Sequence, residues 1–234
     1  MKTVSLVHPE RSAGSVASEM AFPDGKHQSH TRIWTIVALL LLGLLAACSD
    51  DKPAEPTKPE VKGPELVTAR TALQKVYVAA RGWSQDARPY RLESSLTSDG
   101  NGHDGKSAVW RGSFASATKR TEKSYTWSGS AADGAPSRGI NPGTEDTYSA
   151  TNSSTQVFDI AFLKKDSDEA LATAQKHGGD KIMEKAPDTT VVFVCDWNHN
   201  TNELIWHVIY GTRESPKLTV AVNASTAEFI RVEK

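Results

Sequence analysis

The sequence predicts an α+β fold made of two successive units, each a helix followed by antiparallel strands. Three observations predict it. A helix-period stretch from Leu66 leads into three strand-like stretches. After an interval rich in Ser, Gly and Thr, the same order returns from Asp166. Two matching pairs, Val109-Trp110 and Ile205-Trp206, stand 96 residues apart, each with one more strand after a polar turn.

The elements begin well inside the chain. Residues 1–32 are polar and without periodicity. Ile33–Ala47 is a 15-residue apolar run broken by Thr35 and Gly43. A membrane-spanning helix needs about 20 residues, so the run is short for a span and fits the apolar core of a secretory signal. Lys26, His27, His30 and Arg32 supply its positive flank. Met20 would begin a signal of ordinary length, which makes residues 1–19 a candidate misplaced translation start.

The run ends Leu45-Ala46-Ala47-Cys48, which resembles the lipobox of bacterial lipoproteins. That resemblance implies acylation of Cys48, cleavage before it and retention at a membrane of the cell envelope by acyl chains. It also implies that Ser49 permits export to the outer membrane, as in enteric bacteria. Residues 49–64 alternate charges with four prolines, cannot form a core, and read as an extended tether. About 170 residues from Glu65 onward remain to bury a core.

In the first unit, residues 65–134, apolar residues at Leu66, Ala69, Leu73, Val76, Tyr77 and Ala80 define a helix, with Gly82 as its stop. Arg88–Thr97, Ser107–Ala117 and Lys123–Ser128 read as strands. Gly129–Thr155 reads as a long loop, with 135–155 as the linker between units, and Thr155–Leu163 as a strand. The second unit, residues 156–234, holds a helix capped by Asp166 with Glu169 and ended at Gly178-Gly179. Four strands follow: Thr189–Trp197, Glu203–Gly211, Leu218–Asn223 and Glu228–Val232. Glu203–Gly211 is apolar on both faces and reads as central.

Leu218–Ile230 resembles the last strand and turn of a PepSY domain, and Ser167–Ala174 and Ile205–Val208 resemble its helix start and aromatic strand. The likeness covers about residues 166–232, with a weaker copy at 65–134. Asn223 stands for the usual Asp and Ala227 for the usual Gly. The resemblance implies two cystatin-like units, each a helix on a curved antiparallel sheet, and a partner-binding role without catalytic residues.

Composition narrows the chemistry. The whole chain has 234 residues, 38% hydrophobic residues, a net charge of −1 and two cysteines. That excludes a strongly basic nucleic-acid binder and a disulfide-dense scaffold. With Cys48 acylated, Cys195 is left alone, in a strand where cysteine is usually a small buried hydrophobe. The sharper reading pairs Cys195 with His199 or His207 as a nucleophile or metal site, in a small-ligand or hydrolytic domain. Asp99–Gly105 has the composition of a calcium loop but lacks its bidentate Glu, and reads as a turn. Arg111, Lys119, Arg120 and Lys123 interleave with Phe114, Tyr125 and Trp127, a polyanion-binding pattern or a charged strand edge. Trp110, Trp127, Trp197 and Trp206 read as core; if exposed, Trp110, Trp127, Trp206, His207 and Tyr210 are the candidate binding face.

The expectation is a non-enzymatic envelope lipoprotein. It is membrane-held through Cys48, with its folded part facing periplasm or exterior, and binds a protein or peptide through a sheet face or edge. No catalytic residue, metal, cofactor or nucleic-acid partner is assigned.

Overall fold

A computed structural model of the chain describes residues 63–233. The signal segment, Cys48 and most of the tether lie outside the described residues.

Ala69, Leu73, Val76 and Ala80 recur at spacings of three and four, and helix α1 (Ala69–Trp83) buries all of them on one face. Gly82 does not stop the helix, which runs one residue further and ends at Ser84. Strands β1 (Arg88–Ser95), β2 (Val109–Ser116) and β3 (Thr121–Ser128) follow as expected. The interval read as a linker then contributes strand β4 (Gly139–Thr147). Thr155–Leu163 forms no strand; a 3-10 turn at Ser153–Thr155 leads into it and another, Ile160–Phe162, lies within it.

Helix α2 (Ser167–Ala174) begins with the expected capping box of Asp166 and Glu169. Gly178 takes φ +117°, the conformation that commonly ends a helix, yet Gly179 returns to helical angles. The chain therefore passes through a kinked π turn (Gln175–Gly179) into α3 (Asp180–Lys185). Gly179 permits this because a Cβ there would overlap the Tyr210 hydroxyl. Strands β5 (Val191–Asn198), β6 (Glu203–Gly211), β7 (Pro216–Asn223) and β8 (Phe229–Glu233) complete the chain.

All eight strands join one antiparallel sheet in the order β4-β3-β2-β1-β5-β6-β7-β8. The fold is α+β, and its two halves share this sheet through the pairing of β1 with β5. At that junction Arg91 pairs with Asp196, Leu92 with Cys195 and Glu93 with Val194. Ser94 faces Trp110 across β1–β2, as Cys195 faces Trp206 across β5–β6. Each half thus sets its tryptophan-bearing strand, β2 or β6, directly beside the strand at the junction.

The helices cover one face of the sheet. Leu92, Trp110, Phe114, Phe193, Trp206 and Tyr210 form the core beneath them. The repeat extends to hydrogen bonds. The Trp110 indole donates to Val67 O at 3.0 Å, and the Trp206 indole to Lys165 O at 2.9 Å. Each carbonyl lies two residues before the helix of its own half, so each tryptophan fixes one helix entry to the sheet.

The two helix starts are also joined. Thr68 gives α1 no side-chain cap. Instead Arg70 N donates to Asp166 Oδ1 at 2.9 Å and Ala69 N to Ser167 Oγ at 3.1 Å. Ser167 in turn donates to Gly105 O at 2.6 Å and is fully buried. One dipeptide therefore satisfies orphan N–H groups of both helices. Ser167→Ala is expected to lose about 1–3 kcal/mol of stability, because it leaves a buried donor and acceptor unmatched. Urea unfolding checks this as a lower midpoint at unchanged slope.

Candidate functional site

Strand alternation decides which side chains meet. In β6, Leu204, Trp206, Val208 and Tyr210 join the core under the helices. Ile205, His207 and Ile209 therefore point to the opposite, uncovered face. In β5, Phe193 and Cys195 face the helices, whereas Val192 and Val194 form a separate cluster with Ile209 on the uncovered face.

This arrangement corrects the binding face expected from sequence. Trp110, Trp206 and Tyr210 are fully buried and Trp127 nearly so, while His207 lies on the other side of the sheet. Aromatic residues at central strand positions went to the core because the helices sit above them. The pairing of Cys195 with His207 fails for the same reason. Cys195 is fully buried opposite Trp206, and burial pushes its thiol pKa well up, away from the thiolate a nucleophile needs. His199 sits exposed in the β5–β6 turn.

The Asp99–Gly105 loop is a structural strap. Asn101 O accepts from Val191 N at 2.8 Å, and the His103 ring meets Thr189 O at 2.7 Å. The Asp99 carboxylate accepts from the Ser130 hydroxyl and from Ala131 N and Ala132 N. Among the described residues, no group of three His, Cys, Asp or Glu side chains is arranged to hold a metal ion. The basic stripe is split by the sheet. Lys123 lies over Tyr125 and pairs with Glu145, while Arg111 bonds Ser124 on the uncovered face.

The residues that do converge form a charged row across the uncovered face. Arg213 contacts Glu93 at 2.7 Å, and Arg91 reaches Glu93 at 3.3 Å and Asp196 at 3.5 Å. His207 is held between Asp196 at 3.2 Å and Glu233 at 2.7 Å, and Arg231 contacts Glu233 at 2.6 Å. Ala221 lies in register between His207 and Arg231, and its small side chain leaves room for Glu233 to reach His207 over β7. Burial lowers the His207 pKa, but the hydrogen bonds and charges of Asp196 and Glu233 outweigh it and raise the pKa to about 9. The bond from His207 holds Glu233 below the usual carboxylate range.

Sequence reasoning singled out His207 but neither carboxylate. Asp196 was available from alternation and the hairpin register of β5 and β6. Glu233 is 26 residues from His207, with no local signal joining them.

The sheet ends in two unlike edges. β4 carries Pro142, Glu145 and Asp146, which discourage further strand pairing. β4 also exposes Ile140 at 38%, whereas β8 has no proline, pairs its charges Arg231 and Glu233 with each other, and leaves Phe229 38% and Val232 46% exposed. Phe229 stacks on His177 of the π turn at 3.8 Å between ring centres. Among the described residues, no helix is long and apolar enough to cross a membrane.

No protein-family model, curated protein or solved structure matches this chain.

Proposed function

We propose that the chain is a lipid-anchored protein of the bacterial envelope whose folded part binds a protein or peptide partner by adding a strand at β8. On this reading the two halves are PepSY-like, cystatin-like units fused edge to edge. The Leu45–Cys48 sequence and the Pro-rich tether support the anchor, and the residue pattern at 166–232 supports the family likeness.

The observation that carries the binding reading is the difference between the sheet edges. An exposed edge offers a row of unpaired N–H and C=O groups, and a partner strand gains both those bonds and apolar contacts. At β8 the contacts are Phe229 and Val232, and no proline blocks the approach. The uncovered face is a weaker candidate, because its charges already pair with one another and its apolar residues lie beneath them.

The test uses the full-length chain in membranes. Palmitate labelling is expected in the wild type and absent in Cys48→Ser. A partner captured from envelope extract is expected to be lost with Phe229→Lys/Val232→Lys and kept with Ile140→Lys on the β4 edge. Equal capture by both variants counts against strand addition at β8.

A further inference from the structure

We propose a second binding site, separate from β8, along the outer flank of α1: a groove that takes a short extended peptide rich in acidic residues. The seam runs between α1 and the strap from Phe158 to Leu163. It holds two adjoining hollows, of about 130 and 230 Å³, that share Tyr77 and Ile160 as a common ridge. Leu73, Leu163, Phe158 and Pro89 form a buried apolar floor, and Ile160 is 40% exposed above it.

Three arginines rim the groove: Arg70 at one end, Arg81 and Arg88 at the other. All three are exposed, and among the described residues none lies within ion-pair distance of a carboxylate. Among the described residues the Arg70 side chain bonds only the Lys164 carbonyl, at 3.4 Å, and that of Arg81 only the Tyr77 hydroxyl, at 3.5 Å. On the uncovered face, by contrast, Arg91, Arg213 and Arg231 are each paired. The two carboxylates of the groove are already engaged. Asp86 accepts from Ser84, Ser116 and Thr118 N, and Asp159 caps Ala161 N. Those donors are neutral, so three arginines against two carboxylates leave the groove a net charge of +1.

The dimensions select the occupant. From Arg70 to Arg81 the helix rises about 17 Å, the length of about five residues of extended chain. Two hollows separated by a ridge suit alternate side chains of such a chain. A peptide with apolar residues in the hollows and carboxylates toward the arginines satisfies shape and charge together.

The test uses the purified full chain and two labelled peptides, Glu-Leu-Glu-Leu-Glu and Lys-Leu-Lys-Leu-Lys, at one salt concentration. Saturable binding of the acidic peptide alone is expected, with chemical-shift changes at Tyr77 and Ile160. Arg70→Glu/Arg81→Glu is expected to weaken binding at least about tenfold, as for two lost charge contacts. Arg111→Glu, on the uncovered face, is expected to leave it within about twofold, because exposed charges far apart are screened. Should the double reversal not fold, Arg81→Gln takes its place, with about a threefold loss expected. Absent binding, equal binding of both peptides, equal loss with Arg111→Glu, or equal competition by polyphosphate overturns the proposal. Phe229→Lys/Val232→Lys is expected to keep this affinity, so failure here and failure at β8 are told apart.

Discussion

Trp206→Ala is expected to destabilise the fold by about 3–5 kcal/mol, as for a large buried aromatic removed from a core. Trp206 is fully buried in β6, in register with Cys195 on one side and Val222 on the other. Alanine there leaves a cavity over β5, β6 and β7, and the surrounding sheet is paired on both sides and cannot collapse into it. A second loss adds to the first. The indole N–H is the donor to Lys165 O, so its removal frees the entry of α2 as well as thinning the core. Trp206→Phe separates the two, because it keeps most of the apolar volume and removes the donor. It is expected to cost about 1–2 kcal/mol. Trp110 occupies the corresponding place in the first half, with Phe193 at 6.1 Å between ring centres. Trp110→Ala is therefore expected to match Trp206→Ala in guanidinium unfolding, with a single transition because both halves share one sheet. A loss below about 1 kcal/mol for either alanine variant would show that these tryptophans do not anchor the helices.

The parts of this fold legible in sequence are those fixed by local periodicity. Helix α1, the Asp166 capping box and the strands β5 to β7 each carry their own pattern of apolar residues or caps. Strand β4 does not. Gly139–Thr147 has Gly, Asn, Pro, Glu and Asp, with almost every position exposed, and it forms because β3 offers a ladder to pair with. Its order is imposed by a neighbour, which no local window contains. The π turn at Gln175–Gly179 was hidden likewise: two glycines read as a stop, whereas close packing of Gly179 on Tyr210 carries the helix onward. The 96-residue spacing of Trp110 and Trp206 coincides with their corresponding bonds to the two helix entries, but it carried no sign that β1 and β5 pair into one sheet. For the candidate sites, alternation separated Cys195 from His207 once each strand's face was known. The charged row needed the register of five strands, β1 and β5 to β8. The α1 groove needed the path of the strap, which has no periodic pattern of its own.

The charged row makes stability depend on pH in a direction that can be fixed in advance. His207 is raised from 6.5 to about 9 in the folded chain, so folding favours its protonated form. The stability this contributes is fully present below pH 6.5 and is lost as the pH rises through 9. A shift of that size corresponds to about 3 kcal/mol, and His207 is sheltered enough, at 21% exposed, to retain most of it against solvent screening. Glu233 acts at the other end. Its pKa is lowered by the bond to His207, so its contribution is present above the ordinary carboxylate range and fades as the pH falls below it. Together they predict a stability plateau from just above the carboxylate range to about pH 6.5, with a decline toward pH 9. His207→Gln keeps a polar side chain but cannot carry the charge. It is expected to flatten the alkaline decline and to cost stability at pH 6, where Asp196 and Glu233 are left facing one another without a cation between them. Urea midpoints of both proteins at pH 6, 7.5 and 9 decide the matter. The expected result is two curves that converge as the pH rises. Parallel curves would mean that the alkaline loss arises elsewhere in the fold.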